Sequence, residues 1–177
     1  MASRGAQFDQ LRPFFISVAM VVIAITGGIA CGKTIVAKDL EKRLRASFIS
    51  CEDYVASLLE EEEIQDSILQ LLDSCEIEHS GKFEKAKVRK EAFENSEFRE
   101  KLEELIHPMV LEQAVEFLQR HQNESDYSLV EVPLLYEVSF PIPRNLDLVV
   151  AASPPTQLSR LIENRKLETV VAKQILA

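Results

Sequence analysis

Met20-Val21-Val22-Ile23-Ala24-Ile25-Thr26-Gly27-Gly28-Ile29-Ala30-Cys31-Gly32-Lys33-Thr34 is the stretch that decides the fold. An apolar run ends in Thr26. Gly27, four residues and then Gly32-Lys33-Thr34 follow, and a helical apolar pattern continues from Ile35 to Leu44. A strand, a glycine loop closed by Gly-Lys-Thr and a helix form the context in which this spacing cradles phosphate. Glycines let backbone N–H groups turn inward where a Cβ would block the approach. The helix start adds the positive end of its dipole. Gly27, Gly28, Ile29, Ala30, Cys31, Gly32, Lys33 and Thr34 are therefore expected to bind the phosphates of ATP. Lys33 reaches the outer phosphates and the Thr34 hydroxyl ligates Mg²⁺.

Outward from the loop, the chain predicts strands at Val21–Thr26, Ala46–Ser50, Leu129–Val132 and Leu146–Ala152. Between the second and third lies a long stretch with helical periodicity, in pieces at Tyr54–Glu61, Ile64–Leu72, Lys85–Phe93 and Glu97–Gln119. Pro108 predicts a kink or helix boundary at His107. A single helix is expected from Pro155 to the end. Apolar strands separated by helices indicate a parallel sheet covered on both faces. The expected fold class is α/β: a P-loop kinase-like parallel sheet flanked by helices, with a helical substrate-binding insertion. Residues 20–51 and 125–177 form the nucleotide-binding core and residues 52–124 the insertion. Residues 1–19 read as a dispensable extension, with Met20 placed where the fold should start.

The 177 residues suit one domain with an insertion. A net charge of −9 argues against a nucleic-acid partner, which calls for a basic face. Three cysteines, Cys31, Cys51 and Cys75, point to a reduced, cytoplasmic chain rather than a disulfide scaffold. The apolar run Phe14–Ile25 is too short to span a membrane and feeds into the loop. Nothing in the sequence sets the oligomeric state.

Four segments together resemble the dephospho-coenzyme A kinase family. They are Thr26-Gly27-Gly28 opening the loop, Leu102-Glu103-Glu104-Leu105-Ile106-His107-Pro108-Met109-Val110, Val132-Pro133-Leu134-Leu135-Tyr136-Glu137, and Gln157-Leu158-Ser159-Arg160-Leu161. The resemblance covers residues 20–177. It implies transfer of the ATP γ-phosphoryl to the ribose 3′-hydroxyl of dephospho-coenzyme A. It also implies that Arg160 lies on a lid helix and neutralises the transferring group. Lys85 and Arg89, one turn apart, fall where the family carries basic residues that meet substrate phosphates. Pro133 and Leu134 form a substrate-facing turn. His107 either touches the acceptor or shapes the chain before Pro108. Glu131, ending its strand, is either an acid near Mg²⁺ through water or a strand-end surface residue.

The chain departs from the family pattern in three places. The family's Asp-x-Asp after the second strand is Ser50-Cys51-Glu52 here, followed by Asp53. Glu52 is the expected base, with Asp53 its rival by a one-residue slip. The second lid arginine, four residues after the first, is Asn164, and Arg165 follows. The family pattern also extends past the position of Ala177, through an adenine-side loop. Another small-molecule kinase, or a non-catalytic nucleotide-binding homologue, stays open as the alternative.

Overall fold

The structure is a computed structural model and describes residues 20–133, 135–136 and 140–176. The reading of residues 1–19 and of Leu134 and Glu137 lies outside the described residues. Four strands, β1 (Val21–Thr26), β2 (Ser47–Ser50), β3 (Tyr127–Glu131) and β4 (Leu146–Val149), form one parallel sheet in the order β2-β3-β1-β4. β1 and β3 are central and nearly all buried, which is why both read as continuous apolar runs. The helices are α1 (Lys33–Leu44), α2 (Cys51–Leu58), α3 (Glu62–Ser74), α4 (Lys85–Glu94), α5 (Ser96–His121), α6 (Pro154–Glu163) and α7 (Thr169–Leu176).

The period of two along β1 and β3 divides the core. Ile23, Ile25 and Leu129 pack with Ala37, Leu40 and Leu44 of α1. Val22, Ala24 and Val130 face the other way, onto Val110, Leu111, Ala114 and Leu118 of α5. α5 in turn carries α2, α3 and α4 against itself. The helical stretch therefore covers one face of the sheet and α1 the other, so that both faces are covered, which is the part the sequence predicts.

Several strand and helix ends shift by one to three residues from expectation, β3 starting at Tyr127 and β4 ending at Val149, and three further features differ. α5 runs unbroken through Pro108, so no helix boundary forms at His107. Proline removes one backbone hydrogen bond. The buried row Ile106, Val110, Leu111, Ala114, Val115 and Leu118 continues across the site, and its packing outweighs that loss. α2 starts at Cys51 rather than Tyr54, because the Ser50 hydroxyl accepts the Asp53 N–H at 3.2 Å and caps the helix. The C-terminal helix is two helices. α6 ends at Glu163 with Asn164 as its C-cap, and Lys166, with φ 56°, turns the chain before α7.

Candidate active site

Parallel strands place their C-terminal ends on one edge, and every loop that follows them meets there. Val132 N–H donates to the Ile25 carbonyl at 2.9 Å and Val150 N–H to the Thr26 carbonyl at 2.7 Å. These bonds fix the ends of β1, β3 and β4 around the glycine loop. Gly27, with φ 143°, lies so close to β4 that a Cβ would sit 2.1 Å from the Val150 carbonyl oxygen. No side chain fits there. Ala30 (φ 56°) and Gly32 (φ 99°) are also in the left-handed region. Alternation of this kind curls successive N–H groups toward a common centre.

Lys33 opens α1 and folds back over the loop. Its ammonium donates to the Gly27 carbonyl at 3.0 Å and the Gly28 carbonyl at 3.2 Å. Next to it, the Thr34 hydroxyl donates to both carboxylate oxygens of Glu131, at 3.1 and 3.3 Å. Glu131 is 1% exposed, so of its two open readings the strand-end surface residue is excluded. Burial pushes its carboxyl pKa up. Glu52 and Asp53 push the same way, while the Thr34 hydrogen bond and the Lys33 charge pull it down. Burial likewise drives the Cys51 thiol up to about 12, with Glu131 adding to the effect, so this cysteine is inert as a nucleophile.

The raised Glu131 pKa has a stability consequence. The folded chain holds this proton to higher pH than the unfolded chain does. The contribution of Glu131 is therefore most favourable below the ordinary carboxylate range and declines as pH rises through the raised folded pKa. Glu131→Gln removes that charge in nearly the same shape. Its thermal midpoint is expected to exceed that of the parent chain at pH 8, with the gap closing as pH falls through the carboxylate range. Paired melts across pH measure this, and a variant less stable at pH 8 contradicts it.

α6 packs on the loop from the other side. Its N-terminus is capped by Ser153, whose hydroxyl accepts the Thr156 N–H at 3.4 Å, and Pro154 and Pro155 open its first turn. The Gln157 amide donates to the Ile29 carbonyl at 2.7 Å and lies 3.4 Å from Cys31 Sγ. Arg160 donates to the carbonyls of Ala30 at 2.9 Å and Cys31 at 2.8 Å. Arg160 is thus half-buried against the loop.

Glu52 and Asp53 occupy the first turn of α2, directly after β2. Both are exposed, and both act on Glu131 through their charge. Glu52 faces Arg165, with Nη2 3.9 Å from Oε1. Pro133 sits at the end of β3, where its carbonyl accepts the Thr26 hydroxyl at 3.2 Å. The structure thereby gathers Lys33, Thr34, Glu131 and Arg160 at the loop, with Glu52 and Asp53 beside them. Lys85, Arg89 and His107 lie on the helical insertion. Lys85 pairs with Glu60, Arg89 is exposed on α4, and His107 is half-buried on α5. Leu134 falls outside the described residues.

Sequence reasoning assigned no role to Gln157 or Arg165 and left Glu131 open. A charged residue closing an apolar strand is a visible signal for Glu131. The Ser50-x-x-Asp53 spacing is a capping pattern that marks the true start of α2. Nothing in the sequence distinguishes Arg165 from any exposed arginine.

The architecture is that of a P-loop kinase, a parallel sheet whose first strand runs into a glycine loop and a helix. The model of the family described as dephospho-CoA kinase matches residues 21–177. The dephospho-CoA kinase of Vibrio parahaemolyticus is 32% identical over 158 residues, which are 89% of this chain and 76% of that protein. The dephospho-CoA kinase of Fusobacterium nucleatum is 29% identical over 159 residues, 89% of this chain and 80% of that protein. Among solved structures, the crystal structure of TT1252 from Thermus thermophilus superposes with a TM-score of 0.72 at 24% identity, covering 89% of this chain and 78% of that one. The chain belongs to the dephospho-CoA kinase family, and as such it is an ATP-dependent kinase.

Among the described residues, no helix is long and apolar enough to cross a membrane.

Proposed function

We propose that this chain transfers the γ-phosphoryl group of ATP to the ribose 3′-hydroxyl of dephospho-coenzyme A, the last step of coenzyme A synthesis. The observation that carries the reading is the convergence of Lys33, Thr34 and Arg160 on one glycine loop, with Glu52 beside it. Phosphoryl transfer needs such positioning and charge stabilisation more than covalent chemistry. Residues 20–51 and 125–177 serve as the nucleotide-binding core, and residues 52–124 hold the acceptor over it. A cytoplasmic location fits the unpaired cysteines.

The donor set fits Mg²⁺. A hydroxyl and a carboxylate are hard oxygen ligands, and Glu131 is held on Thr34. Bound Mg²⁺ supplies charge neutralisation on the ATP phosphates. Thr34 would ligate it, with Glu131 behind Thr34 to hold it through water. Gly27 to Gly32 wrap the phosphates with backbone N–H groups. Lys33 leaves the Gly27 and Gly28 carbonyls for the phosphate oxygens, and Arg160 neutralises the charge that builds on the transferring group. Glu52 accepts the proton of the 3′-hydroxyl as its oxygen bonds to the γ-phosphorus. The bond from that phosphorus to the bridging oxygen breaks, and ADP leaves. Lys85, Arg89, His107 and Pro133 are assigned to the acceptor side in this reading.

The test is ADP release by the purified chain with Mg²⁺ and ATP, with and without dephospho-coenzyme A, together with mass analysis of the acceptor. Acceptor-dependent ADP release and a product heavier by one phosphoryl group support the assignment. Equal turnover with an unrelated alcohol would identify a different small-molecule kinase. ATP binding without turnover would identify a non-catalytic homologue.

A further inference from the structure

α6 touches both halves of the site. At one end Gln157 and Arg160 donate to the carbonyls of Ile29, Ala30 and Cys31. Between them and the C-terminus, Leu161 is fully buried and fixes the helix on the core. At the other end the chain turns sharply. Arg165 N–H donates to the Arg160 carbonyl at 3.4 Å and Leu167 N–H to the Leu161 carbonyl at 3.2 Å, with Lys166 in the left-handed region between them. This closed turn sets the direction of the Arg165 side chain relative to the loop. Its guanidinium then lies 3.9 Å from the carboxylate of Glu52 on α2.

One turn after Arg160 stands Asn164, which carries no charge and serves as the helix C-cap. The cation that faces Glu52 is Arg165. Its surroundings are acidic: Glu52 and Asp53 on α2 and Glu131 on β3 bring three carboxylates to the same edge, with Lys33 committed to the loop. A pair about half exposed on both sides contributes little to folding. At 3.9 Å the guanidinium makes no direct hydrogen bond to Glu52, and it acts on the carboxylate through its charge.

We infer that Arg165 is a positioning residue for phosphoryl transfer, holding the Glu52 carboxylate toward the acceptor hydroxyl while α6 holds the phosphate loop. The inference rests on Glu52 acting as the base. It ties the donor side and the acceptor side to one helix, so that docking of α6 sets the loop and aims Glu52 together. Removing the guanidinium leaves ATP binding intact and misplaces the carboxylate; a 1 Å error of this kind costs up to about 100-fold in rate.

The experiment compares Arg165→Met, Arg165→Lys, Glu52→Gln and the double variant Arg165→Met/Glu52→Gln. Turnover and ATP affinity are measured for each, with single-turnover rates for the slow variants. Arg165→Met is expected to lower kcat at least about tenfold with little change in the KM for ATP or in the thermal midpoint. Arg165→Lys should recover a substantial part of the loss. In the Glu52→Gln background the Arg165→Met change should have almost no further effect, since the group it positions is gone. Wild-type kcat in Arg165→Met overturns the inference. So does the same fold-loss in both backgrounds, which would place Arg165 on the phosphoryl group itself. Full activity of Glu52→Gln alone would instead remove the assignment of Glu52 as the base, and the inference with it.

Discussion

Lys33→Ala is expected to lower turnover by about 10³-fold or more while the chain stays folded. In the structure the Lys33 ammonium is nearly buried and bonded to two loop carbonyls. Those carbonyls turn to water when the side chain is cut back, so the stability cost is that of hydrogen bonds to a charged donor, about 1.5–3 kcal/mol. For a chain of this size that corresponds to a melting shift of about 3–12 °C. The catalytic loss is larger because the phosphate charge exists only when ligand is bound. Each factor of ten in rate is about 1.4 kcal/mol of barrier, and a preorganised cation in a site closed to water supplies several kcal/mol. Turnover, ATP affinity and the circular dichroism melt of the same preparation check both halves. A folded Lys33→Ala chain with near-normal turnover would remove the phosphate-loop assignment.

The loop was legible in the sequence because its signals are local. Gly27, Gly32, Lys33 and Thr34 announce a backbone shape, and the flanking apolar run and helical pattern supply its context. The same locality explains the strand limits at Val21 and Thr26 and the end of α1 at Leu44, which the structure reproduces. What the sequence left open depends on contacts distant along the chain. Glu131 meets Thr34 across 97 residues, and only the pairing of β3 with β1 brings them together. Gln157 finds the Ile29 carbonyl across 128 residues. Pro108 makes no helix boundary for a related reason. Its local preference against helix is real, but α5 is fixed by a buried apolar row that extends on both sides of the proline.

The two acidic residues at the head of α2 are expected to part company on mutation: Glu52→Gln loses turnover while still binding ATP, and Asp53→Asn stays near the parent chain. Both side chains lie in the first turn, where a negative charge also favours the helix dipole. Their backbones differ in role. The Asp53 N–H closes the cap with Ser50, which locks the start of α2 and leaves the Asp53 side chain exposed. The Glu52 carboxylate lies 3.9 Å from the Arg165 guanidinium, on the turn that follows the helix docked on the phosphate loop. A base must stand within hydrogen-bond reach of the hydroxyl it deprotonates, and of the two acids Glu52 is the one with a cation from the donor side beside it. Glu extends beyond Asp by one methylene, about 1.5 Å. α2 begins directly at Cys51, with no linking residues after β2, so the longer side chain starts from a fixed position. Glu52→Asp should therefore retain part of the activity yet fall well below the parent, by up to about 100-fold for a displacement of that order. Turnover and ATP binding are to be measured for Glu52→Gln, Asp53→Asn and Glu52→Asp alike. Loss in Asp53→Asn with an active Glu52→Gln would transfer the role to Asp53. Activity in both amide variants would leave α2 without the base and turn attention to Glu131, the buried carboxylate at the same strand ends.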